Sequence, residues 1–110
     1  MRASTDLAPI VLQTLGAGSD TNWFSHTLIS QAGANLRYRA MRDTSAAFHQ
    51  HAGQECFVVL SGTVHVDIEG GDTVVVATGQ FFAVPAGVRH RAHVDGTATL
   101  LVFDGEPVAG

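Results

Sequence analysis

Val64, Val66 and Ile68 alternate along the chain with Thr63, His65, Asp67 and Glu69. That two-residue period puts an apolar row and a polar row on opposite faces of an extended chain, the pattern of a half-buried strand. Cys56-Phe57-Val58-Val59-Leu60 and Thr73-Val74-Val75-Val76 are further short runs rich in β-branched and aromatic residues. Gly70-Gly71-Asp72, between two of these runs, predicts a tight hairpin. Turn-forming residues recur at Gly16-Ala17-Gly18-Ser19-Asp20, Gly33, Gly53, Gly62, Gly79, Pro85-Ala86-Gly87, Asp95-Gly96 and Asp104-Gly105. The stretches between them have strand length rather than helix length. Only Ala8 to Leu15 leaves room for a helical turn or two. The pattern predicts an all-β antiparallel sandwich or small barrel.

Composition narrows this picture. A chain of 110 residues suits one domain, 1–110, with residues 1–20 as an N-terminal strand or arm. Ten acidic residues face six basic ones, all arginine, for a formal charge of −4. That balance provides no basic face for phosphates, so no nucleic-acid partner is expected. No apolar stretch approaches the roughly 20 residues of a membrane-spanning helix. Pro9 and Gln13 interrupt Leu7 to Leu15, a poor signal peptide, and the expected location is the cytoplasm. Cys56 is the only cysteine, which excludes an intrachain disulfide.

The chemistry gathers in Phe48-His49-Gln50-His51-Ala52-Gly53-Gln54-Glu55. On an extended chain His49 and His51 project from one face, and Glu55 follows a turn that lets it face back towards them. Two imidazoles and a carboxylate suit a borderline or hard divalent metal. Taken alone, His-x-His fits a pair of surface histidines just as simply. A second stretch, Gly79 to His90, is a strand, a Pro/Gly turn and a histidine that opens the next strand.

Together the two stretches resemble the cupin superfamily. Its first motif is His-x-His, three or four residues, Glu, six residues, Gly, matched by His49, His51, Glu55 and Gly62. Its second is Gly, five residues, Pro-x-Gly, two residues, His, matched by Gly79, Pro85, Gly87 and His90. Two positions depart: Asp43 stands where a glycine is expected, and Val94 where an asparagine is common. The resemblance implies an antiparallel jelly-roll β-barrel. It also implies one divalent transition metal per chain (Fe, Mn, Ni, Co, Cu or Zn), held by His49, His51, Glu55 and His90. Such a centre keeps positions for a substrate with dioxygen or water. The expected function is a metal-dependent enzyme on a small organic molecule, a dioxygenase or an isomerase or lyase; the alternative is a non-catalytic module that binds metal or a small ligand.

Alternation assigns the remaining side chains. Ser45 and Ala47 are expected to line the pocket with His49, Phe57 and Val59 with Glu55, and Ala92 with His90. One of Phe81 and Phe82 should face inward. His93, His65 and His26, with Arg89 and Arg91, are expected on the surface, and Cys56 packs away from the metal. Tyr38 and the pair Arg37 and Arg39 occupy opposite faces of one strand. Tyr38 inward avoids buried unpaired arginines and makes it a catalytic candidate beside Glu55; arginines inward would favour a carboxylate-bearing substrate. Open strand edges point to a homodimer.

Overall fold

The computed structural model describes residues 7–105. Seven strands follow one another: β1 Trp23–Gln31, β2 Ala34–Ser45, β3 Glu55–Ser61, β4 Thr63–Ile68, β5 Thr73–Ala77, β6 Phe81–Val84 and β7 His90–Gly105. Every pairing between them is antiparallel. The fold is all-β, and no helix is long and apolar enough to cross a membrane. The alternating run at 63–68 is β4, and Gly70-Gly71-Asp72 turns it into β5. Residues 7–22 hold a single 3-10 turn, Leu12–Thr14, and no strand, so this part of the N-terminal segment is an arm. The first six residues of that expected segment lie outside the described residues.

Strand β7 organises the rest. Its first residues, His90 to His93, pair with β4, and Thr99 to Asp104 pair with β3. Strand β2 runs beside both halves, from Ala34↔Gly105 to Ser45↔His93. One 16-residue strand thereby carries the sheet from one side of the barrel to the other, bending at Gly96 with φ +85°.

The neighbouring bend in β2 explains a departure noted in the sequence. Asp43 interrupts the register between Arg42 and Thr44 and adopts φ +42°. That left-handed conformation favours glycine, but aspartate tolerates it when its short side chain bonds locally. Here its Oδ1 accepts the Gly96 N–H at 2.7 Å, pinning the two bends together.

The core is an inward row from each sheet: Met41, Phe57, Val59, Val64, Val66, Val76, Val84, Ala92, Val94, Ala98, Leu100 and Val102. Phe82 packs against it while Phe81 is exposed. Register then decides the question left open in β2. Arg37, Arg39 and Met41 lie opposite Val102, Leu100 and Ala98, all buried, so the arginine row faces the interior. Tyr38 lies opposite Leu101, on the other face. The expectation of an inward Tyr38 is therefore corrected. It is buried all the same, beside Leu12 and Leu60 under the N-terminal arm. Ser45 is corrected too: it pairs with His93 on the outer face, and because His49 pairs with His90 the chain gains one residue between Ser45 and His49, which breaks the alternation. Ala47 is exposed.

The outer face of β4 and of the first half of β7 is polar. Asp67 accepts hydrogen bonds from Thr73 Oγ1 at 2.6 Å, Arg91 Nε at 2.9 Å and His93 Nδ1 at 2.9 Å. These donors, Thr73 first, hold its carboxyl at a pKa of about 2, below the ordinary 3.8. A depressed folded-state value means stability that is present above the ordinary value and lost as pH falls towards 2. Denaturant midpoints of the wild type and Asp67→Asn should therefore differ at neutral pH and converge in acid; a constant difference refutes the assignment. Gly62 sets a second test. It has φ +76°, and a Cβ there would sit 2.2 Å from the Thr97 carbonyl oxygen. Gly62→Ala should lower stability by about 2 kcal/mol or more, read by chemical unfolding.

Candidate metal centre

Glu55 opens β3 and is only 5% exposed. A carboxylate so buried needs partners, and three histidines supply them. His90, the first residue of β7, places Nε2 2.6 Å from Glu55 Oε1. His49 belongs to no strand but forms an isolated bridge with His90, their backbones exchanging hydrogen bonds of 2.8 and 2.9 Å. Its Nε2 stands 3.4 Å from the same oxygen. His51 approaches from the following loop, with Nε2 3.5 Å from Oε2. That loop is tied to the Pro85-Ala86-Gly87 turn, where the Gly87 N–H donates to the His51 carbonyl at 2.9 Å. Gly87 turns with φ +77°, a conformation glycine adopts without strain. The second motif's Pro-x-Gly thus positions a histidine of the first.

Backbone carbonyls orient two of the rings. His49 Nδ1 donates to Ala47 O and His90 Nδ1 to Val88 O, each at 2.9 Å. With Nδ1 donating to a carbonyl, Nε2 is the atom turned towards Glu55. There it donates to the carboxylate when protonated and can offer its lone pair to an ion when not, as metal-ligating histidines do. Burial alone would push the Glu55 carboxyl up, but the His90 hydrogen bond and the nearby charges of His51, His90 and His49 hold it below its usual range. For His90 burial acts downward, and the hydrogen bond to Glu55 and the Val88 carbonyl outweigh it, leaving its pKa raised.

The donors fit a cation. One ligand atom each from His49, Glu55 and His90 lie within 4.8 Å of one another. His51 Nε2 is buried with no hydrogen-bond partner, an orphan that a metal ion would satisfy. Three imidazole nitrogens and a carboxylate oxygen suit a divalent transition metal, and affinity order alone does not choose which.

The interior beside them is chemically mixed. Phe57 and Val59 share the Glu55 face and are buried, and Ala92 follows His90 in the same way. Arg37 pairs with Asp104, which also accepts from Asn35. Arg39 stacks its guanidinium 4.4 Å above the Trp23 ring, and its Nε is buried without a partner. Burial lowers its pKa while Glu55, the strongest opposing influence, raises it. The sequence offered Arg37 and Arg39 inward as the alternative to Tyr38, because alternation left the face undecided; nothing in it marked Trp23 as the partner of Arg39. Cys56 alternates out of the site, and burial followed by the Glu55 charge pushes its thiol up. His26 is exposed.

A family model described as Cupin domain matches residues 38–105. No curated protein matches the chain. Among solved structures, a cupin superfamily protein from Desulfitobacterium hafniense is 16% identical with a TM-score of 0.80, covering 92% of this chain and 93% of that one. A conserved protein of unknown function from Streptococcus pyogenes is 19% identical with a TM-score of 0.78, covering 99% and 93%. A cupin-2 domain protein from Shewanella frigidimarina is 15% identical with a TM-score of 0.75, covering 88% and 94%. At these identities the likeness to the solved structures is one of fold.

Protons and metal compete for the same Nε2 lone pairs. An ion retained through desalting at neutral pH should be released as pH falls below roughly 6, and His90→Ala should fail to retain it. Metal analysis of the eluted protein checks both, and full retention in either case refutes the ligand set.

Proposed function

The chain belongs to the Cupin domain family, and from that premise we propose a metal-dependent enzyme that acts on a small, carboxylate-bearing organic molecule by oxygenase or by isomerase or lyase chemistry. One observation carries the reading: three imidazole Nε2 atoms converge on a buried carboxylate, in an interior that also holds an unpaired Arg39 Nε. His49, His51, His90 and Glu55 would hold one divalent transition metal. When bound, such an ion supplies Lewis acidity and open positions for substrate with dioxygen or water.

The chain's own residues do the rest. Arg37 is already engaged by Asp104, so its charge is matched. Arg39 has no carboxylate within hydrogen-bonding distance, and the face of Trp23 holds its guanidinium plane. A planar fork of donors in an apolar surround selects a carboxylate over a neutral group. Met41, Phe57 and Val59 exclude water from that side and limit the ligand to a compact one. If the three histidines alone held the ion, Glu55 would be the carboxylate free to take or return a proton. Tyr38 lies on the other face of β2 and takes no part in this scheme.

A second reading, a module that binds without turnover, is favoured by one observation. Of the two carboxylates on the interior face, Asp104 is engaged by Arg37 and Asn35, and only Glu55 remains for proton transfer. The assembly we propose is a homodimer, supported by β1 at the end of the sheet with Ile29 exposed; light scattering that returns a monomer overturns it.

Turnover of chelating acids, enols and sugar acids by metal-loaded protein tests the main reading. Arg39→Gln should raise KM for the acid roughly 10- to 100-fold, the worth of a hydrogen bond to a charged group, with metal content unchanged. His49→Ala should abolish turnover. Firmly bound metal without turnover selects the module, and equal use of an uncharged analogue removes the carboxylate.

A further inference from the structure

Strand β7 turns a second histidine outward three residues after His90. His93 lies directly opposite His65 of β4 on the face away from the metal centre, and the two rings stack with centroids 4.8 Å apart and planes 6° from parallel. Asp95, two residues beyond His93 in β7, extends the same outward row. One ligand atom from each of His65, His93 and Asp95 falls within 4.8 Å of the others.

We propose that His65, His93 and Asp95 form a second, solvent-facing site for a borderline divalent cation such as zinc, with Asp67 as the carboxylate that orients His93. Two nitrogens and one carboxylate oxygen are donors that zinc accepts, and three protein ligands leave a fourth position to water.

The orientation of His93 is the independent support. Asp67 already accepts hydrogen bonds from Thr73 Oγ1 and Arg91 Nε, and a carboxylate in that position accepts from His93 as well. The 2.9 Å contact from His93 Nδ1 therefore carries the proton on Nδ1 and leaves the Nε2 lone pair free. A carboxylate behind a histidine is the arrangement that fixes tautomer and raises basicity at metal sites. Among the described residues the ring of His65 and the carboxylate of Asp95 make no hydrogen bond; to bind an ion with His93, His65 turns out of the parallel stack, because the in-plane lone pairs of parallel rings do not meet.

Arg91, the nearest cation, does not oppose a bound ion. Its Nε is committed to Asp67, and its guanidinium lies 4.6 Å over the Phe48 ring. An open cleft lined by Asp43, Ser45, Arg91, His93 and Asp95 gives solvent access. Because the strand's alternation separates His93 from His90, the two sites lie on opposite faces of β7 and cannot share an ion.

The test is a count of ions. Full-length protein stripped with chelator is dialysed against zinc and its metal content measured, with circular dichroism to confirm that each variant is folded. The wild type should hold about two ions per chain, and both His93→Asn and His65→Gln should hold about one fewer. His49→Ala should lose the other ion, so the interior site is counted separately. A wild type that binds one ion and loses it in His93→Asn still supports the outer site while removing the interior one. Unchanged zinc content in folded His93→Asn and His65→Gln overturns the proposal and leaves the outer row a polar ladder.

Discussion

A carboxylate taken out of water must be surrounded by groups that stabilise its charge, and in this protein that requirement falls on Glu55. It sits at the start of β3, buried between Val84 of β6 on one side and Asp104 of β7 on the other. Three imidazoles take that role, and they arrive from two parts of the chain: His49 and His51 from one short stretch before β3, and His90 from the first residue of β7. The carbonyls of Ala47 and Val88 turn two of those rings before any ligand is bound. Such preorganisation lowers the cost of assembling a metal site, because the ligands are ordered by folding itself.

The long strand β7 couples this site to the rest of the fold. Its inward residues, His90, Ala92, Val94, Ala98, Leu100 and Val102, run from the imidazole cluster through the centre of the core. Its outward residues Arg91 and His93 join Asp67 and His65 in a ladder open to solvent. A change of register in this strand would exchange the two rows, exposing the core and burying charge. The Asp43–Gly96 contact, which fastens the bends of β2 and β7, guards against that slip.

The function proposed for the interior side depends on an asymmetry between two arginines on one row. Arg37 is neutralised by Asp104, whereas Arg39 keeps an unmatched donor beside Trp23 and within the field of Glu55. An unmatched buried donor is expensive unless something else completes it, which is why a carboxylate ligand follows from Arg39 and not from Arg37.

Local alternation and spacing made much of this legible beforehand. The strands at 56–60, 63–68 and 73–76, the Gly70-Gly71-Asp72 hairpin and the shared facing of His49 and His51 were readable, because side-chain period and turn chemistry are short-range properties of the chain; His90 was joined to them only through the resemblance to the cupin motifs. The separation of His93 from His90 was readable too. The facing of β2 was not readable. Alternation states that Tyr38 opposes Arg37 and Arg39, but which row is buried depends on pairing with β7, some sixty residues later. Nor could alternation carry from Ser45 to His49: Ser45 pairs with His93 and faces outward, whereas His49 pairs with His90, so the chain gains a residue between them. The pairing of His65 with His93 was equally hidden, since register between strands distant in sequence is set only when the barrel closes and its apolar rows are buried together.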